Sequence, residues 1–152
     1  MARAVSPVVG VALLAFVTVT LSLAVVTAAP ALSADPPPTT QLSVSVDAGA
    51  DRIAIKHRAG SPLDVAELTV TVEIDGTQLQ QQPPVPFFAA RGFESGPTGP
   101  FNTASPDTWR AGQTASFRIA TTNHPQIEPG ATVSVTVATE QTVIRQVSVR
   151  AA

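Results

Sequence analysis

Residues able to do chemistry are sparse in these 152 positions. His57 and His124 are the only imidazoles, and there is no cysteine. Thiol catalysis, disulfides and thiolate metal sites are therefore excluded. His57 lies between Lys56 and Arg58 in an alternating segment, and His124 precedes Pro125 among turn-forming residues. Both read as structural or surface histidines. Asp47 and Asp51 bracket a turn containing Gly49, a pair able to share a hard cation such as Ca²⁺. Two carboxylates without further oxygen ligands favour a solvated turn instead. Asp64 and Glu67 read as residues that shape a loop. No G-x-S-x-G, H-E-x-x-H or glycine-rich phosphate loop occurs. The expectation is a protein that is not an enzyme, with no catalytic residue, cofactor or metal site.

A formal net charge of −2 and the lack of any basic run argue against nucleic acid as a partner. Asn102 and Asn123 do not stand in Asn-x-Ser/Thr acceptors, so N-glycosylation is not expected there.

The elements that must carry these residues change character along the chain. From Gln41 the hydrophobic period is two. Leu42, Val44 and Val46 alternate with polar residues, as do Ile53, Ile55 and His57 within 52–58, and Leu68, Val70, Val72 and Ile74. Asp75-Gly76 is a hairpin signal leading to a short strand at 77–79. Alternation resumes at 114–120, 133–138 and 142–150. Arg145 interrupts the apolar face of the last segment, which predicts a bulge or an edge. Seven short strands with no helical period predict an all-β immunoglobulin-like sandwich over residues 41–152.

Residues 80–112 break this rhythm. They contain six prolines, four glycines and five of the seven Phe and Trp side chains: Phe87, Phe88, Phe93, Phe101 and Trp109. That aromatic content argues against disorder, so an ordered excursion is expected. Its rings form either a contact surface or a cap on the sandwich core.

Residues 4–34 contain no charge at all, with Arg3 before them and Asp35 after. This predicts one long apolar helix over residues 5–34, able to cross a hydrocarbon core. Pro7 suits a first helical position, and Gly10 permits close helix contact. Thr18 and Ser22 share a face, with Ala15 one turn before it and Val17 on the apolar surface. The hydroxyls either bond back to their own helix or form a polar seam between helices. Residues 35–40 hold three prolines and read as a stiff spacer.

Arg3-Ala4-Val5-Ser6-Pro7-Val8-Val9-Gly10-Val11 resembles the start of archaeal, especially haloarchaeal, type IV pilins. Trp109-Arg110-Ala111-Gly112 and Pro129-Gly130 extend the resemblance weakly into the head. The resemblance implies a class III signal peptide, residues 1–4, cut between Ala4 and Val5 with Arg3 before the bond. It further implies a single-pass membrane precursor with a cytoplasmic N-terminus, whose helix later packs in the core of an adhesive surface filament. The implied partners are other pilin subunits, a prepilin peptidase, the pilus assembly machinery and membrane lipid. Residues Pro7, Gly10, Ala15, Val17, Thr18 and Ser22 would then be assembly positions. A membrane-anchored, monomeric β-sandwich binding module that never polymerises is the second reading.

Overall fold

The structure is a computed structural model that describes the backbone of residues 7–28 and 39–152, and the side chains of residues 7–19 and 39–152. The chain divides into two units, residues 1–36 and 37–152.

In the first unit, helix α1 spans Pro7–Ala28. Pro7 opens it, where a missing N–H costs nothing. Its side chains are described over residues 7–19, thirteen positions. Among the described residues no helix is long and apolar enough to cross a membrane. The membrane-length apolar helix expected over residues 5–34 is therefore corrected: the described helix is Pro7–Ala28. The physical reason is that absence of charge measures transfer free energy, not helix length. Val8, Val9, Val11, Val17 and Val19 are β-branched, and such residues lose side-chain freedom in a helix.

The second unit is β-rich and sandwich-like, with nine strands among the described residues. They are β1 (Gln41–Asp47), β2 (Arg52–Ala59), β3 (Leu63–Asp64), β4 (Thr69–Ile74), β5 (Thr77–Gln78), β6 (Thr108–Trp109), β7 (Thr114–Arg118), β8 (Thr132–Ala138) and β9 (Val143–Arg150). One sheet runs β1-β2-β7, the other β5-β4-β8-β9, and β3 pairs with β6 alone. All seven alternating stretches carry strands. β3 and β6 are additional, two residues each, and too short to show a period.

Registry follows the alternation. Val70, Val72 and Ile74 of β4 stand opposite Val137, Val135 and Val133 of β8, and all six are buried. In the facing sheet Ile53 and Ile55 of β2 stand opposite Phe117 and Ala115 of β7. These inner faces share one hydrophobic core. At Asp75 and Gly76 both φ angles are positive, 50° and 79°, the backbone a tight hairpin turn requires. The Asp75 carboxylate also accepts the Thr132 N–H at 2.8 Å, tying the hairpin to β8.

β9 is the outer strand of its sheet. Its pairing with β8 slips at one position: Val137 faces Arg145 and Ala138 faces Val143, leaving Ile144 as the extra residue. Past β9 the chain end crosses to the other sheet. The Ala152 N–H donates to the Val46 carbonyl at 3.2 Å, and the Ala48 N–H donates to the Ala152 carbonyl at 3.1 Å. This brackets the two sheets together at one end.

Candidate functional site

The excursion between β5 and β7 is the part of the head most unlike a plain sandwich. It is held by backbone bonds to β7. Thr98 and Ser116 exchange N–H to carbonyl bonds of 2.8 and 3.2 Å, and their hydroxyls share a hydrogen bond of 2.6 Å. The Glu94 N–H donates to the Arg118 carbonyl at 3.0 Å, and the Ala120 N–H to the Gly92 carbonyl at 3.0 Å. The segment thus lies along the outer edge of β7 as an interrupted strand. Close approach needs glycine at one point: Gly99 has φ +65°, and a Cβ there would collide with the Thr114 carbonyl.

Four of the five excursion rings are buried. Phe87, Phe93, Phe101 and Trp109 belong to the core. Ring centroids run Phe87–Phe93 at 5.7 Å, Phe93–Phe117 at 5.5 Å, Phe117–Phe101 at 6.2 Å and Phe101–Trp109 at 5.1 Å. Offset and edge-on rings at these separations add to the area they bury. Phe88 is the exception, 59% exposed beside its buried neighbour. The backbone around it is fixed, because the Gly96 N–H donates to the Phe88 carbonyl at 2.8 Å and the Phe87 N–H to the Phe101 carbonyl at 2.8 Å.

Two carboxamides that sequence reasoning missed pin the start of the excursion. Asn123 is fully buried. Its Oδ1 accepts the Gln81 N–H at 3.0 Å, and its Nδ2 donates to the carbonyls of Gln81 at 2.9 Å and Gly92 at 3.2 Å. The Gln82 side chain does the same for Val72 on β4. Neither residue carries a local sequence signal, since asparagine and glutamine in loops are ordinarily solvated.

His57 is fully buried on the inner face of β2, its ring edge-on to Trp109 at 5.9 Å. Nδ1 must carry the proton, because it lies 3.1 Å from the Trp109 carbonyl, which can only accept. Nε2 has no hydrogen-bond partner among the described residues. The Trp109 indole N–H in turn donates to the Gln113 carbonyl at 3.1 Å. The imidazole is thus a buried fixture between β2 and the turn before β7. His124 is exposed.

The Asp47 carboxylate accepts the Ala50 N–H at 3.2 Å and caps a short 3-10 turn, and Asp64 does the same for Ala66 at 3.0 Å. Asp51 takes a left-handed backbone conformation, φ 49°, at the end of the first of these turns. Among the described residues no group of three or more His, Cys, Asp or Glu is placed to hold a metal ion. A depression of about 610 Å³ in the head is lined by residues that include Leu63, Leu68, Ile144, Glu67 and Glu140.

Of the expected assembly positions, Pro7, Gly10, Ala15, Val17 and Thr18 lie on the described surface of α1, where all are exposed. The Thr18 hydroxyl donates to the Leu14 carbonyl one turn back, the helix-internal alternative. A Cβ on Gly10 would meet nothing within 4 Å. The Ser22 side chain and the cleavage residues Arg3, Ala4 and Val5 lie outside the described residues.

Compared with known proteins, the sequence matches no protein-family model and no curated relative.

Proposed function

We propose that this chain is a non-catalytic structural subunit of a type IV pilin-like filament at the cell surface, with a role in adhesion. The observation that carries the reading is the contrast between the two units. The head buries its large apolar side chains, whereas α1 presents Val8, Val11, Leu13 and Leu14 at 60–73% exposure with no charged residue between them. An uncharged helix that is apolar all round is stable in water only when other surfaces cover it. Packing α1 against α1 of further subunits supplies that cover. The Arg3-Ala4-Val5-Ser6-Pro7 opening supports the same class from the sequence side. The partners this implies are other subunits, a prepilin peptidase acting at Ala4–Val5 and the assembly machinery. The sandwich-like head is read as immunoglobulin-like and as the part displayed outward.

Leu14→Asp tests the reading. A carboxylate in a helix-to-helix contact is buried without a partner and costs several kcal/mol. Electron microscopy of the cell surface is expected to show the variant missing from filaments while its head keeps the wild-type melting temperature. Unchanged incorporation contradicts the reading and points to a binding module that acts alone.

A further inference from the structure

The register of β4 and β8 brings two short turns together at one end of their sheet. Thr69 opens β4 opposite Ala138, the last residue of β8. The residues just before Thr69 therefore meet those just after Ala138, and the depression of about 610 Å³ lies where they meet. Glu67 comes from the 3-10 turn Val65–Glu67, and Glu140 from the turn between β8 and β9. Both turns are fixed by their own hydrogen bonds. In the first, the Asp64 carboxylate accepts the Ala66 N–H at 3.0 Å, and the Leu68 N–H donates to the Val65 carbonyl at 3.1 Å. In the second, the Thr139 N–H donates to the Thr142 carbonyl at 2.8 Å, and the Thr142 N–H donates to the Thr139 hydroxyl at 3.3 Å.

The lining carries charge of one sign. Glu67 and Glu140 are exposed, and no lysine, arginine or histidine lines the depression. The same lining includes Leu63 and Leu68, both buried, and the half-buried Ile144. Small ligands occupy concave surfaces that combine apolar side chains with a few polar groups on pre-ordered backbone. Here the charged groups are carboxylates, which accept hydrogen bonds and attract positive charge. We infer that this depression is a binding site for a cationic group on an aliphatic stem. The methylenes of such a ligand pack on Leu68 and Ile144, and its ammonium or guanidinium head pairs with Glu67 and Glu140. A stem without the charge leaves the carboxylates unused, and the charge without a stem leaves the apolar lining uncovered. Two sources carry this chemistry, a lysine or arginine side chain of another polypeptide and a free alkyl amine. The site concerns the head alone and stands independently of the filament reading.

The test uses the full chain, with a mild non-ionic detergent covering α1 and NMR labels on the leucine and isoleucine methyl groups. Titration with n-butylguanidinium is expected to give saturable shifts at Leu68 and Ile144. Guanidinium alone and n-butanol, each holding half of the chemistry, are expected to bind more weakly. The double variant Glu67→Gln/Glu140→Gln is expected to weaken n-butylguanidinium binding by about fivefold, as for two exposed ion pairs. Glu73→Gln, which removes a carboxylate of β4 outside the depression, should leave binding unchanged. The peptide acetyl-Ala-Arg-Ala-amide separates the sources: tighter binding than n-butylguanidinium assigns the site to a polypeptide side chain, and weaker binding assigns it to a free amine. The inference is overturned if Leu68 and Ile144 show no saturable shift. It is also overturned if n-butanol or guanidinium binds as well as n-butylguanidinium, or if the double variant binds as wild type does.

Discussion

Phe88 and Phe101 sit in the same excursion with opposite surroundings, the first 59% exposed and the second fully buried. Truncating Phe101 to alanine opens a cavity beneath Trp109 and Phe117, and urea unfolding should show a loss of about 3–5 kcal/mol. Phe88→Ala should stay within about 0.5 kcal/mol of wild type in the same experiment, as exposed positions do. A large loss at Phe88 would contradict the burial assigned to it. The sequence already marked these rings as either core or contact surface. It did not separate neighbours such as Phe87 and Phe88, because an irregular segment has no period to say which residue turns inward. His57 shows the complementary case. Its alternation with Ile53 and Ile55 placed it on their face, but its bond to the Trp109 carbonyl joins residues 52 positions apart. His57→Leu keeps most of the volume and removes that buried bond. A loss of about 1–3 kcal/mol in thermal or urea unfolding is expected.

At the scale of elements, the excursion is ordered because carboxamides and backbone bonds replace the ladder that its prolines and glycines forbid. Asn123→Ala removes three bonds to Gln81 and Gly92 from a fully buried site. Trypsin should then cut after Arg91 markedly faster than in wild type, with the sheets still intact by circular dichroism. An unchanged cleavage rate would show that the excursion is held elsewhere. The strands were legible since a half-buried strand writes its burial into a period of two, as in Val133, Val135 and Val137. Arg145 likewise signalled the slip at Ile144 on the outer strand. β3 and β6 were not legible: Leu63 opposite Trp109 is a contact across 46 positions of chain, with only two residues on each side to announce it. Gln82 and Asn123 were invisible for the same reason. Their partners are backbone atoms, which every sequence has.

For the whole molecule, the two units pose opposite problems. The head has solved its burial: Trp109, Phe101 and Phe117 fill the space between sheets whose ends are bracketed by Ala152. Helix α1 has not, since Val8, Val11, Leu13 and Leu14 face outward. The uncharged run of residues 4–34 made an apolar N-terminal element legible, but its translation into a membrane-length helix went beyond what the described helix supports. Lack of charge states what an element avoids; it does not state how far the helix reaches or what covers it. Under the filament reading, further copies of the chain provide that cover, and this can be tested without perturbing the protein. Filaments sheared from the surface of expressing cells would be purified and the chain's intact mass determined. Filament assembly predicts that the chain is present in that fraction and begins at Val5. Its absence from the fraction, or a mature chain that lacks α1, would contradict assembly through α1.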